Sequence, residues 1–210
     1  MKKVGAAEVY LPDDETDPVM LGAGGKYQGS KLMAALKYVR NYRTAIDVGA
    51  HCGLWSMQMA KHFQNVECFE PLQRHIECWQ ANINGSDKCR LFQVALGNEP
   101  GIVRIHVVET QSGRSHVHPS DGIPVPLEKL DKFTFDNVDL IKIDVEGYEL
   151  QVIKGGEETI KRDKPVIIVE QKPGNGSRYN ESDTAAIDYL KGLGMIQKEV
   201  IAGDYVMAWQ

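Results

Sequence analysis

The 210-residue sequence is short of three features, each of which would define a class of protein. It has no apolar run near the roughly 18–20 residues that a membrane-spanning helix needs. Its four cysteines include no CxxC pair, so they indicate reduced thiols rather than a zinc site. It carries 24 Lys and Arg against 29 Asp and Glu, so it lacks the basic excess that binds nucleic acid. The sequence therefore predicts no membrane span and no nucleic-acid partner.

The length and the composition predict one domain with a substantial core. Hydrophobic residues make up 42% of the chain and charged residues 25%, the balance of a globular protein. Residues 1–29 hold an acidic stretch followed by glycines, for which we expect no regular element. We predict an N-terminal arm or lid over 1–29 and a single domain over 30–210. No secretory signal is recognisable at the start, which predicts a cytoplasmic location.

Within the predicted domain, short β-branched runs alternate with longer amphipathic stretches. This pattern is typical of an α/β fold whose mostly parallel sheet is covered by helices on both faces. The last two predicted strands meet at Ala202 and Gly203, and a turn this short requires them to pair antiparallel. We predict a Rossmann-like sheet closed by a C-terminal hairpin, with an insertion at about 99–128 that serves as a substrate loop.

The most informative local pattern follows the first predicted strand of the domain. Asp47 ends that strand, and Gly49 and Gly53 lead into a helix. Ligands of such sheets bind beyond the carboxyl ends of the strands, where glycine lets the backbone approach. Glu70 ends the next strand, close to the roughly 20-residue interval at which an acid accepts ribose hydroxyls. At the end of the third strand, Ala95 and Leu96 are candidates for adenine contact.

The glycine loop favours one cofactor class over another. It reads Gly49-Ala50-His51-Cys52-Gly53, without the Gly-x-Gly of a nicotinamide fingerprint. Asp47 would repel a diphosphate but attract the ammonium of a methionine group, directly or through water. His51 could contact the cofactor through its backbone amide. The loop favours S-adenosylmethionine over NAD, and leaves a nucleotide-binding oxidoreductase as the alternative.

Several short segments together resemble the FkbM family of S-adenosylmethionine-dependent methyltransferases. The most specific is Lys142–Glu149, which reads KIDVEGYE. The others are Asp47–Ala50 with Gly53, Phe69-Glu70-Pro71, Asn82 and Asn84, Leu130-Asp131, Gly155, and Val169-Glu170. The resemblance implies a seven-stranded class I methyltransferase fold and methyl transfer, usually to a hydroxyl oxygen of a sugar or secondary metabolite. His51, Cys52 and Lys129 depart from the family pattern, and this leaves a methyltransferase-like binding module without activity as a further alternative.

Transfer to an alcohol requires a group that takes the hydroxyl proton, or a metal that acidifies it. Asp144 ends the fourth strand and is a candidate for base, ammonium partner or metal ligand. Glu146 is a second catalytic candidate, and we assign Glu149 to the start of the next helix. His116, in the insertion, is the candidate base that titrates near neutral pH. We assign no residues to a metal, although the strand-end carboxylates leave a divalent metal open.

The acceptor is expected to be a small molecule or a glycan. Arg114 and Ser115 belong to a segment that resembles the family's serine-containing substrate loop. Lys172 follows the fifth strand and would suit a carboxylate or phosphate on the acceptor. The sequence leaves a homodimer open, because the arm and the C-terminal hairpin are both available for exchange.

Overall fold

A computed structural model of the protein describes residues 1–5, 8–23 and 27–210. The strands are β1 Lys2–Val4, β2 Val9–Leu11, β3 Thr44–Val48, β4 Asn65–Phe69, β5 Cys89–Phe92, β6 Ala95–Leu96, β7 Gly101–His106, β8 His116–His118, β9 Ile123–Glu128, β10 Val138–Ile143, β11 Val166–Glu170, β12 Ile196–Ile201 and β13 Asp204–Ala208. The helices are α1 Pro18–Ala23, α2 Gly29–Leu36, α3 Leu54–Met59, α4 Gln73–Ile83, α5 Glu149–Gly155, α6 Glu157–Asp163 and α7 Ala185–Gly192.

The central sheet has seven strands in the order β12-β13-β11-β10-β3-β4-β5. The five strands from β11 to β5 run parallel, and β13 pairs antiparallel with both β11 and β12. This arrangement confirms the predicted fold class, including the C-terminal hairpin. The parallel strands end at one edge of the sheet, and the loops beyond that edge meet where β10 and β3 lie side by side.

Alternation along the strands divides the core between the two faces of the sheet. On β3, Ile46 and Val48 face a cluster completed by α5, α6 and α7, while Ala45 faces a cluster completed by α2, α3 and α4. All three side chains are buried. Because both faces of the sheet are covered, its central strands are mostly apolar.

The insertion forms a second sheet rather than a loop. Its four strands have the order β6-β9-β7-β8, and β6 pairs with β9 instead of continuing β5. The expected continuous third strand therefore ends at Phe92, and Ala95 and Leu96 belong to the insertion sheet. Ile105 and Val125 pack with Leu72 beneath this small sheet, which holds it against the cavity edge of the main sheet.

The expectation of no regular element near the N-terminus is wrong for the described residues. β1 and β2 form an antiparallel hairpin, and α1 follows. Val9, Leu11 and Met20 are almost fully buried in a cluster with Leu54 on α3 and Cys78 on α4. Burial of these side chains supplies the stability that the composition of the segment did not suggest. Gly24 and Gly25 of the glycine-rich stretch lie outside the described residues.

Candidate active site

A cavity of about 510 Å³ lies beyond the carboxyl ends of β3, β4, β10 and β11. Its volume falls within the range of small-molecule sites. Thirteen of the residues predicted for the site line it: Gly49, Ala50, His51, Glu70, Pro71, Ala95, Leu96, Arg114, Ser115, His116, Asp144, Glu146 and Lys172. The fold thus brings the predicted cofactor, catalytic and acceptor residues into one space.

Asp47 and Gly53, predicted for the cofactor, do not line the cavity. Asp47 is fully buried, and its carboxylate accepts a hydrogen bond from Ser56 Oγ at 2.7 Å. Its other oxygen lies 3.4 Å from Nζ of Lys142. The Asp47 side chain points toward α3, on the face of the sheet opposite Ile46 and Val48. In this structure it holds Lys142 rather than facing a ligand.

Gly53 has a packing role. Its φ is +82°, and a Cβ there would lie 2.9 Å from Cδ1 of Trp79. The missing side chain lets the start of α3 approach Trp79 on α4. This explains the glycine without a ligand contact.

Lys142 joins the glycine loop to the end of β10. Nζ of Lys142 donates to the carbonyls of Gly49 at 2.8 Å and Val48 at 3.3 Å, and Asp144 lies at 3.9 Å. Burial alone would lower the pKa of Lys142, but the carboxylates of Asp47 and Asp144 raise it above its usual value. The buried ammonium stays charged. It therefore ties the glycine loop to β10 through the carbonyl of Gly49, whereas the carbonyl of Val48 also accepts the N–H of Asp144.

The loop also approaches β10 directly. Gly49 has φ +74°, and a Cβ there would lie 2.0 Å from the carbonyl oxygen of Asp144. Gly49 and Ala50 both donate their N–H groups to the carbonyl of Phe69. A side chain at position 49 is therefore incompatible with this backbone, and the glycine is required for close packing at the cavity wall.

Glu70 is 5% exposed and already accepts three hydrogen bonds. Oε2 accepts from the N–H of His51 at 3.0 Å, and Oε1 accepts from the N–H of Leu72 at 3.0 Å. Nδ1 of His75 lies 3.2 Å from Oε1. A carboxylate has about four lone-pair sites, so one remains on Oε2. Glu70 can therefore accept a hydrogen bond from one ribose hydroxyl without losing a partner. The backbone N–H of His51, which was predicted to contact the cofactor, donates to Glu70 instead.

Three carboxylates meet at the ends of β10 and β11. Oxygens of Asp144, Glu146 and Glu170 lie within 4.8 Å of one another, a group that could hold a metal ion. Nζ of Lys172 lies 2.7 Å from Glu146 and 2.7 Å from Glu170, so an ammonium already balances this charge. Lys172, which was predicted to bind the acceptor, instead forms ion pairs with Glu146 and Glu170 in this structure.

Within this cluster, the pKa values of Asp144 and Glu170 are shifted in opposite directions. Burial, together with the charge of Asp144, raises the pKa of Glu170 to about 9. Burial also opposes ionisation of Asp144, but the ammonium groups of Lys142 and Lys172 hold its pKa below the usual value. The two groups titrate as a coupled pair, in which Glu170 holds the proton more strongly than Asp144 does. Asp144 is also the more exposed of the two, with 26% of its side chain accessible.

The segment 144–147, which reads DVEG, forms a turn that is stabilised by side-chain hydrogen bonds of Glu146 and Glu149. Glu146 has φ +56°, and its carboxylate accepts from Asn175 Nδ2 at 3.0 Å. Oε1 of Glu149 accepts the N–H groups of Val145 at 3.2 Å and Gly147 at 2.9 Å. Burial raises the pKa of Glu149 to about 7. Glu149 thus stabilises the turn before α5, and Glu146 faces the cavity.

Sequence reasoning missed a buried polar chain that closes the other side of the cavity. Nε2 of His51 lies 2.8 Å from Ser112 Oγ, which also bonds Glu15. Glu15 accepts the N–H of Ser112 at 2.9 Å and is fully buried. Burial first, and then the neighbouring His75, lower the pKa of His51 well below its usual value. The neutral imidazole therefore connects the glycine loop, the insertion and the N-terminal segment. Separations of 61 and 97 residues leave no local signal for it.

The predicted acceptor residues lie in the insertion wall of the cavity. Ser115 Oγ donates to the carbonyl of Ser112 at 2.9 Å, and His116 Nδ1 lies 3.0 Å from the carbonyl of Arg114. Among the residues that the structure describes, the exposed Arg114 guanidinium contacts no carboxylate. Ser115 and His116 therefore shape the wall, and Arg114 remains available to an acceptor.

The sheet order and the cavity define a class I methyltransferase fold. The crystal structure of the methyltransferase FkbM from Methylobacillus flagellatus KT superposes with a TM-score of 0.52 at 16% identity, covering 94% of this chain and 56% of that one. The N-methyltransferase NodS from Bradyrhizobium japonicum WM9, in complex with S-adenosylhomocysteine, superposes with a TM-score of 0.54 at 12% identity. That match covers 93% of this chain and 87% of NodS. At these identities the likeness establishes the fold.

The family description "Methyltransferase FkbM domain" matches residues 47–196, and the chain belongs to this family. A curated relative, the 2-O-methyltransferase NoeI from Sinorhizobium fredii, is 26% identical over 118 residues. The match covers 45% of this chain and 49% of NoeI, so the chain spans about half the length of the curated relative it matches. The family assignment does not favour the oxidoreductase alternative. Within the described ranges, no helix has the length and apolar character needed to cross a bilayer.

S-adenosylmethionine is the cofactor of this class, and the residues present fit it. Glu70 retains one lone pair for a ribose hydroxyl, and Val94, Ala95 and Leu96 supply a partly apolar wall. Asp144 places its carboxyl group in the wall of the cavity.

Proposed function

We propose that this protein transfers a methyl group from S-adenosylmethionine to a hydroxyl oxygen on a sugar, a glycan or another hydroxylated small molecule. The observation that carries the proposal is the carboxyl group of Asp144, which lines the cavity with 26% of its side chain accessible, next to Glu146 and Glu170. Membership of the FkbM family supports methyl transfer, and the 2-O-methyltransferase relative supports oxygen as the acceptor atom.

The bound cofactor supplies an electrophilic methyl group, and the protein must align the acceptor and receive its proton. We assign proton acceptance to the Asp144 carboxylate. A hydroxyl becomes strongly acidic as its oxygen bonds to carbon, so a carboxylate is basic enough to take the proton. Glu170, which shares a hydrogen bond with Asp144, keeps that carboxyl group oriented.

The surrounding groups support acceptor binding and exclude water. Lys172 and Asn175 hold Glu146 in the cavity wall, so its carboxylate can accept a hydrogen bond from a second hydroxyl of the acceptor. Arg114 can donate to hydroxyl or anionic oxygens at the mouth of the cavity. The chain from Glu15 through Ser112 to His51 closes the opposite side. A polyhydroxyl acceptor is the class that this mixture of donors and acceptors suits best.

Binding of S-adenosylhomocysteine and methyl transfer test separate parts of the proposal. The Asp144→Asn variant should lower kcat by about 10²–10⁴, the range for loss of a proton-accepting group, in an assay with labelled S-adenosylmethionine and a panel of sugars and phenols. Its affinity for S-adenosylhomocysteine should change far less. The matched control is Glu99→Gln, because Glu99 carries the same charge but is 74% exposed.

A second variant, His116→Gln, distinguishes the two proposed bases. We expect it to keep most of the turnover; a loss as large as that of Asp144→Asn would transfer the role to His116. Tight cofactor binding with no methyl transfer to any hydroxylated acceptor would contradict the proposal and favour a binding module without activity.

A cytoplasmic location and a homodimer complete the proposal. Three of the four cysteines are buried free thiols, the state expected in a reducing compartment. β12 is an edge strand of the sheet and exposes Ile196 and Val200, so two copies could pair along it. Sedimentation at several concentrations should show a dimer, and a Val200→Lys substitution should weaken it. A monomer at all concentrations would contradict this part.

A further inference from the structure

The β7–β8 ribbon carries three histidines on one face. His106 on β7 pairs directly with His116 on β8, and His118 follows His116 by two positions. Successive strand residues point to opposite faces, so these three share a face while Ile105 and Val117 take the other. The ring centroids are 5.5 Å apart for His106 and His116, 6.0 Å for His106 and His118, and 6.4 Å for His116 and His118.

The hydrogen-bond partners of two rings leave the same nitrogen free. Nδ1 of His106 lies 3.3 Å from Oδ2 of Asp121, and Nδ1 of His116 lies 3.0 Å from the carbonyl of Arg114. Both partners are acceptors, so Nδ1 carries the hydrogen and Nε2 presents a lone pair. Metal-bound histidines usually show this pattern, with the second nitrogen donating to a carboxylate or a carbonyl.

The third ring needs a small rearrangement. Nδ1 of His118 accepts the N–H groups of Asp121 at 3.0 Å and Ser120 at 3.4 Å, and the ring must release these bonds to ligate. Arg104, opposite His118 in the register, directs its guanidinium to the carbonyl of Gly122. A metal about 2.0–2.1 Å from three tetrahedral nitrogens places the ring centroids about 5 Å apart. The rings must therefore close by roughly 1 Å or less on average, which half-buried side chains at a ribbon edge can do.

We propose that His106, His116 and His118 form a binding site for a divalent transition metal such as Zn²⁺, with Asp121 positioning His106. Three neutral imidazoles are a ligand set that zinc uses with a fourth position open to water. This site is distinct from the carboxylate cluster of Asp144 and from the proposed methyl transfer. A bound metal would cross-link β7 to β8 and fix the wall that includes His116.

The site has a consequence for the chemistry next to it. A metal on Nε2 of His116 occupies the lone pair that a base would use, so proton acceptance would be left to Asp144. The metal would also brace the segment before β8, which holds Arg114 and Ser115 at the cavity.

The test uses the full chain without an affinity tag, after treatment with a chelator. Titration calorimetry with Zn²⁺ should show one equivalent bound at micromolar affinity or tighter, and Co²⁺ should give the visible absorption of a tetrahedral site. His106→Ala and His116→Ala should each weaken Zn²⁺ binding at least tenfold. The matched control is His62→Ala, because His62 is exposed and lies outside the ribbon.

Two further variants separate this site from other ligands. Cys89→Ser tests the thiol that is not fully buried, and Asp144→Asn tests the carboxylate cluster. If either removes Zn²⁺ binding while the histidine variants retain it, the proposal is overturned. Absence of stoichiometric binding by the intact protein overturns it as well. The Co²⁺ spectrum of the unaltered protein gives a result even where a histidine variant folds poorly.

Discussion

The substitution Asp47→Asn separates a structural role for this residue from a cofactor-binding role. Asp47 is fully buried, and the Lys142 side chain beside it is 5% exposed, with 3.4 Å between carboxylate and ammonium. Removing one partner of a buried ion pair costs about 3–5 kcal/mol, because the other charge stays buried without compensation. Lys142 keeps two carbonyl acceptors and Asp144 at 3.9 Å, so we expect the lower end, about 3 kcal/mol.

Urea unfolding at pH 7 measures this loss. For a chain of this length, each kcal/mol shifts Tm by roughly 2–4 °C, so thermal unfolding should fall by about 6–12 °C. Lys142→Met should also destabilise the protein. The double variant should lose less than the sum of the two, because neither charge is then left alone.

The competing expectation is that Asp47 binds the cofactor. Calorimetry with S-adenosylhomocysteine, below the unfolding transition of the variant, tests it. A stability loss under about 1 kcal/mol, together with a tenfold or greater loss of affinity, would refute the reasoning and restore the ligand-binding role. The Glu99→Gln variant again controls for the change in net charge, because Glu99 is exposed.

Two further predictions concern the polar chain from Glu15 through Ser112 to His51 and the DVEG turn. Ser112→Ala removes the hydroxyl that links Glu15 to His51, so amide hydrogen exchange should become faster at residues 15–17 and 109–115. Ser120→Ala, at an exposed position, is the control and should leave the exchange unchanged. Unaltered protection in Ser112→Ala would contradict the role of this chain in closing the cavity. Glu149 has its pKa raised to about 7 by burial, above the unfolded value near 4.5, so its stabilising contribution is present below pH 4.5 and lost as the pH rises through 7. The free energy of unfolding of Glu149→Gln, relative to that of the unaltered protein, should therefore rise between pH 5 and pH 8. A difference that stays constant over this range would show that Glu149 does not titrate there.

Local sequence determined the frame of the protein and the position of the cofactor loop. Short apolar runs that alternate with amphipathic stretches were enough to predict a parallel sheet, because strands covered on both faces are mostly apolar. The glycine loop after β3 and Glu70 after β4 could be predicted as neighbours, because the carboxyl ends of adjacent parallel strands meet at one edge. The DVEG segment indicated the family through its residue order alone.

Tertiary structure decided what each of these side chains contacts. Asp47 lies inside β3 and is buried against Lys142, whereas Glu70 lies just beyond β4 and lines the cavity. A strand that is apolar on both faces carries no signal for the face to which a polar side chain points.

The same limit applies to partners far apart in the chain. Glu15 meets Ser112 across 97 residues, and Lys172 meets Glu146 across 26. The histidine face of the insertion also depends on register, since His106 aligns with His116 only when β7 and β8 pair. Local periodicity fixes elements, whereas contacts between elements depend on how the whole chain packs, and the chemistry of this site is made of such contacts.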